Sequence, residues 1–125
     1  MPRDDEQTLG EQLAGWGKVA LLETTGRISG GKVQSAVGFV EADAGALLVA
    51  AGSESADWAQ NLQAQPRCRA TIGERTAPYS AHEVEGTERA QALTELILKY
   101  GTPAERLGRG PVFRLEPVKN PTRRP

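Results

Sequence analysis

The chain has 125 residues, a formal net charge of −1, 38% hydrophobic residues and 5% aromatic residues. That length fits one domain with a modest core filled by aliphatic side chains, and the charge balance excludes a nucleic-acid binder working through bulk positive charge. One cysteine, Cys68, and one histidine, His82, exclude an internal disulfide and a structural zinc site of the Cys/His type.

The N-terminal stretch "MPRDDEQT" is acidic and polar and lacks the apolar stretch of a secretory signal. No apolar run approaches the roughly 20 residues needed to cross a bilayer, so a cytoplasmic protein is expected. From Thr8, Leu9, Leu13 and Trp16 recur at helical spacing and predict a short helix, stopped by Gly15 and Gly17. Lys18 to Thr25 reads as a buried strand, and Val33 to Glu41 as one alternating strand with Val33, Ser35, Val37 and Phe39 on a common side. Asp43 and Gly45 are expected to supply the unusual backbone angles of a turn, and Ala46 to Ala51 is a further strand.

In the second half, Ser55 is the expected helix N-cap, with Asp57 in the first turn. Trp58, Leu62 and Gln65 would share one face, and Pro66 ends the helix. Strands follow at Arg67 to Ile72 and Thr76 to Val84, the latter bent or at an edge because of Pro78. Thr87 should cap the longest helix, which buries a stripe of Ala90, Leu93, Ile97 and Tyr100 and closes at Gly101. Pro111 to Glu116 is the last strand. Short turns between successive strands favour antiparallel pairing, and about six such strands tend to curl into a barrel. The expected class is α+β: a tail and short helix over 1–17, a mostly antiparallel β-barrel with flanking helices over 18–117, and a flexible, Pro-rich basic tail over 118–125.

Chemistry concentrates in the loop "TTGRISGGK", residues 24–32. Glycines adopt positive φ without steric cost, so backbone N–H groups can converge into an anion-binding nest. Thr24, Thr25 and Ser29 add hydroxyls, Arg27 offers a planar fork for a phosphate, and Lys32 adds a point charge. The spacing is not that of a P-loop, since Val33 follows the lysine where a hydroxyl is required. By itself this pattern also suits a wide solvated hairpin. Cys68, in the strand-like "CRATI", is expected to be a buried inert thiol rather than half of a Cys–His pair, and His82 a surface residue.

The order of segments is more specific. Strand, "TTGRISGGK", two strands, a helix "DWAQNLQAQP" and another strand resemble the deazaflavin-dependent nitroreductase family. Thr24, Thr25, Gly26, Arg27, Ser29 and Gly30 match its T-T-x-G-R-x-S-G loop; Trp58, Asn61, Leu62, Ala64 and Pro66 match its W-x-x-N-L-x-A-x-P helix; and "GPVFRLEP" looks like its final strand. The resemblance covers roughly residues 18–117. It departs from the family pattern in three places: Lys32 stands near the usual second arginine, Ala59 replaces a tyrosine, and the shortened segment before Trp58 carries Glu54 and Asp57 and no cation.

The resemblance implies a split β-barrel that binds coenzyme F420, a 5-deazaflavin with a phosphate and an oligoglutamate tail. It implies hydride transfer to a small-molecule electron acceptor: a quinone, nitroaromatic or activated enone. The site residues it implies are Thr24, Thr25, Gly26, Arg27, Ser29, Gly30 and Lys32 around the phosphate and the start of the tail, and Ala51, Gly52 and Ser53 with amides at the ring carbonyls. Trp58 and Asn61 would lie beside the cofactor, and Tyr100 near the acceptor as a possible proton donor. A homodimer is also compatible with it. FMN in place of the deazaflavin, or a carrier or sensor without turnover, remain open alternatives.

Overall fold

The computed structural model describes residues 17–52, 54–101 and 109–118. The expected helix at Thr8–Trp16, the amide of Ser53 and the tail from 119 lie outside the described residues. The elements are β1 (Ala20–Thr25), β2 (Lys32–Val37), β3 (Phe39–Glu41), a short 3-10 turn (Asp43–Gly45), β4 (Leu47–Ala50), α1 (Asp57–Ala64), β5 (Arg67–Ile72), β6 (Arg75–Glu83), α2 (Gly86–Tyr100) and β7 (Val112–Pro117).

All strand neighbours are antiparallel, in the order β2-β1-β5-β6-β7-β4-β3. The two outermost strands, β2 and β3, are consecutive in the chain and separated only by Gly38. The sheet therefore curls until both its edges belong to one bent strand, a half-barrel that leaves little exposed edge for aggregation. The expected single strand at Val33 to Glu41 is thus broken at Gly38. A Cβ there would come 3.1 Å from the Tyr100 ring, so the bend and the docked ring need a residue without a side chain. The Tyr100 hydroxyl accepts from the Phe39 N–H (3.0 Å) and donates to the Lys18 carbonyl (2.8 Å). Lys99 donates to the Phe39 carbonyl (2.7 Å) and sits 3.6 Å from the Phe39 ring centroid.

Two apolar clusters hold these elements. The barrel interior contains Leu22, Phe39, Leu47, Val49, Phe113 and Leu115, joined by Ala59 and Leu62 of α1. α1 thus packs into the barrel and brings Asp57 and Asn61 next to the β1–β2 loop. The second cluster lies beneath α2, where Ala92 and Leu96 meet Val40, Leu48, Ala50 and Val112. β4 supplies both clusters from alternate residues, which explains its unbroken apolar sequence. Each fully buried large side chain contributes about 1.5–3 kcal/mol relative to exposure.

Several local expectations change. α1 starts after Ala56 and α2 after Glu85, and neither has a side-chain N-cap bond, so Ser55 and Thr87 do not cap. On α1, Ala59, Asn61 and Leu62 are buried and Gln65 is exposed. On α2 the buried pair is Ala92 and Leu96, with Leu93 and Tyr100 packed beside them; Ala90 faces solvent. In the turn after β3, Ala44 and Gly45 take positive φ (59° and 80°), not Asp43. Pro78 sits in β6 between β5 and β7 rather than at an edge. It is tolerated because its carbonyl accepts from Val118 N–H, just past the last residue of β7, so the missing N–H falls where that ladder has ended.

Candidate functional site

The β1–β2 loop is closed by its own backbone. Gly26 N–H donates to the Gly31 carbonyl (2.7 Å), Gly30 N–H to the Gly26 carbonyl (2.8 Å), and Gly31 N–H to Ser29 Oγ (3.1 Å). Gly30 has φ of 78°, and a Cβ on Gly26 would lie 3.0 Å from Ser29 Oγ and 3.3 Å from the Gly31 carbonyl. The glycines therefore shape the turn, and their amides are used within it. Within this loop, the amides of Ile28 and Ser29 are left without a protein partner.

A buried polar network fastens this loop to α1. Asn61, 1% exposed, accepts at Oδ1 from the Arg27 backbone N–H (3.1 Å) and from Arg27 Nη1 (2.7 Å). Its Nδ2 donates to Thr24 Oγ1 (3.2 Å), and Thr24 is also 1% exposed. The Thr24 hydroxyl is thus committed to Asn61. Arg27 further contacts Asp57, with Nη1 at 3.4 Å from its carbonyl and Nη2 at 3.4 Å from its carboxylate. Asp57 and Asn61 are one helical turn apart, so both face the loop. The sequence places Asp57 at the helix dipole and in the cation-free segment before Trp58; its i, i+4 spacing from Asn61 is the signal that it also reaches Arg27.

Between the hairpin residues Gly26, Arg27, Ile28, Ser29 and Val33 and the helix residues Asp57 and Asn61 lies a cleft of about 190 Å³. That is below the roughly 300–1,000 Å³ of sites that enclose a whole drug-sized ligand, yet ample for one phosphate group. Its lining combines the Arg27 guanidinium, the Ser29 hydroxyl and two loop residues with unpartnered amides with the apolar side chains of Ile28 and Val33 and the Asp57 carboxylate. Thr25 is half-buried and Lys32 is exposed at the start of β2, directly across the ladder from it. The Arg27 guanidinium and the Ser29 hydroxyl can bind an anionic group; Lys32 is not part of the cleft lining.

The remaining expected site residues lie elsewhere. Ala51 is buried and its N–H donates to the Pro111 carbonyl (2.9 Å), so it is not free to polarise a ligand; Gly52 is exposed. Trp58 is half-buried, packs on the barrel core and meets Phe113 at 6.1 Å between ring centroids, tilted by 55°. Tyr100 is the Gly38 clamp described above, its hydroxyl committed to backbone groups. Cys68 is buried and its thiol is pushed up to about 12 by desolvation, while His82 is on the surface. Such a thiol stays protonated at neutral pH and is no nucleophile. No cluster of three metal-ligating side chains occurs among the described residues.

Comparison with known proteins decides the family. The model of the F420H(2)-dependent quinone reductase family matches residues 1–110. The chain belongs to that family. It is therefore an oxidoreductase of the F420-dependent reductases, with coenzyme F420 as its cofactor. Among solved structures, the F420-H2 dependent reductase FDR-A is 29% identical, with 79% of this chain and 94% of that chain covered at a TM-score of 0.69. A protein described as a domain-swapped dimer is 25% identical, covering 93% of this chain and all of that one, at 0.68. HutZ, the heme storage protein from Vibrio cholerae, shares the fold at 22% identity, 93% and 90% coverage and 0.70. No curated protein matches the chain. Within the F420H(2)-dependent quinone reductase family, the two motifs recognised in the sequence are here the two halves of one hydrogen-bonded unit. No helix among the described residues is long and apolar enough to cross a membrane.

Proposed function

We propose that this reductase binds the phosphate of coenzyme F420 in the cleft between the β1–β2 loop and α1, and reduces a quinone. The observation that carries the reading is the Thr24–Asn61–Arg27 network, which holds a guanidinium beside the cleft between the loop and α1 before any ligand arrives. A preorganised fork binds a phosphate without first losing side-chain freedom. Ile28 and Ser29 add their amides, and Thr25 and Lys32 lie on the path a tail of carboxylates would take. The cleft is too small for the ring, which would have to be held outside it. When bound, the reduced deazaflavin supplies the hydride from C5 of its ring, so the protein's part is orientation and exclusion of water. Because the Tyr100 hydroxyl is bonded to backbone groups, the proton that completes reduction comes from solvent. Nitroaromatics and activated enones are acceptors of the same electron-poor class. A homodimer fits the reading, since one close structural neighbour is a domain-swapped dimer.

The test is anaerobic oxidation of reduced F420 by the purified protein with a soluble quinone, a nitroaromatic and an enone offered in parallel. The expected result is the highest kcat/KM with the quinone. Cofactor that binds but is oxidised by none of the three would overturn the catalytic reading in favour of a carrier.

A further inference from the structure

Arg27 carries an anionic partner of its own. The Asp57 carboxylate lies 3.4 Å from Nη2, and the two side chains are 29% and 77% exposed for arginine and aspartate. Asn61 holds Nη1 at 2.7 Å and is neutral, so it orients the guanidinium without cancelling its charge. Asp57 does cancel it. At this distance and exposure the pair itself is weak, and an incoming phosphate can displace the carboxylate from the fork. It cannot remove it from the neighbourhood, because Asp57 is the first residue of α1 and its backbone is fixed there. Asp57 also lines the cleft. Any anion seated on Arg27 therefore sits beside a fixed negative charge.

The repulsion scales with the charge of that anion. A phosphate with a tail attached, as in coenzyme F420, is a diester with a single negative charge. The terminal phosphate of FMN is a monoester carrying about −1.5 to −2 at pH 7. We infer that Asp57 is a specificity-determining residue: by opposing charge at Arg27 it admits a phosphodiester and discriminates against a phosphomonoester dianion. The inference rests on the proposed phosphate site. It goes further by assigning discrimination to a residue that serves neither turn closure nor the buried network. The helix dipole alone would explain an acidic residue in the first turn, but that role gives no preference between the two phosphates.

The test is fluorescence titration of oxidised F420 and of FMN into the wild-type protein, Asp57→Asn and Asp57→Glu at one fixed ionic strength. In Asp57→Asn the ratio of the FMN to the F420 dissociation constant should fall about fivefold, the effect of one extra unit charge at close range in a wet cleft. Asp57→Glu, which keeps the charge, should retain most of the wild-type ratio. If Asp57→Asn lowers the melting temperature and leaves the ratio unchanged, the residue serves only the helix and the inference is overturned while the phosphate site stands. Should Asp57→Asn not fold, Asp57→Ser takes its place: the same fall in the ratio supports the inference and an unchanged ratio refutes it. Absence of F420 binding to the wild-type protein would instead refute the site reading, and this inference with it.

Discussion

Replacing Asn61 with alanine should destabilise the protein by about 2–4 kcal/mol and weaken F420 binding by about tenfold or more. Asn61 makes three hydrogen bonds from a position that is 1% exposed. Truncation leaves the Thr24 hydroxyl, equally buried, without its donor, and the Arg27 amide without its acceptor. An unmet buried polar group costs about 1–3 kcal/mol, more than the net worth of a hydrogen bond formed. The loss in affinity has a different origin: the guanidinium would no longer be held over the cleft, so its freedom would be lost on binding instead of beforehand. Urea denaturation gives the stability and fluorescence titration the affinity. A folded, equally stable Asn61→Ala protein would show that the network does not fasten the loop.

Arg27→Ala should separate binding from folding. A charge-assisted contact to a phosphate is worth about 1.5–3 kcal/mol, so F420 affinity should fall about tenfold to a hundredfold. Stability should change by about 1 kcal/mol or less. The Arg27 backbone N–H still satisfies Asn61 Oδ1 in the variant, and the exposed pair with Asp57 adds little. Arg27→Lys should recover only part of the affinity, because an ammonium lacks the planar fork. The combination that contradicts the account is an unchanged dissociation constant with a lowered melting temperature, which would make Arg27 a structural residue.

The barrel was legible in the sequence wherever local signals coincided with the fold. β5 was read to the residue, since Pro66 and Gly73 bracket Arg67–Ile72. The break at Gly38 was not, because Val37 and Phe39 keep the apolar alternation running across it in sequence and the reason for it is a ring from Tyr100, sixty-two residues later in the chain. Helix faces were read only in part. Ala90 and Ile97 fit the period of the predicted stripe, yet the barrel surface under α2 takes Ala92 and Leu96. The expected caps failed because a hydroxyl near a helix start is permissive and does not compel a cap.

The site divides in the same way. Glycine and cation content pointed to the loop, and the Trp-Asn helix stood out by resemblance. Nothing local to either segment tells that Asn61 binds Arg27 across a separation of 34 residues. Composition suggested that the loop amides form a nest, but the geometry of a closed turn uses three of the glycine amides internally.

The central claim is that the cleft between the β1–β2 loop and α1 is built for the phosphate and anionic tail of a deazaflavin. Side-by-side equilibrium titration of the wild-type protein with oxidised F420 and with FMN, at one salt concentration, tests it most directly. The account predicts that F420 binds more tightly, because Lys32 supplies charge beyond the needs of one phosphate and Asp57 disfavours a dianion. Equal affinities, or tighter binding of FMN, would contradict it.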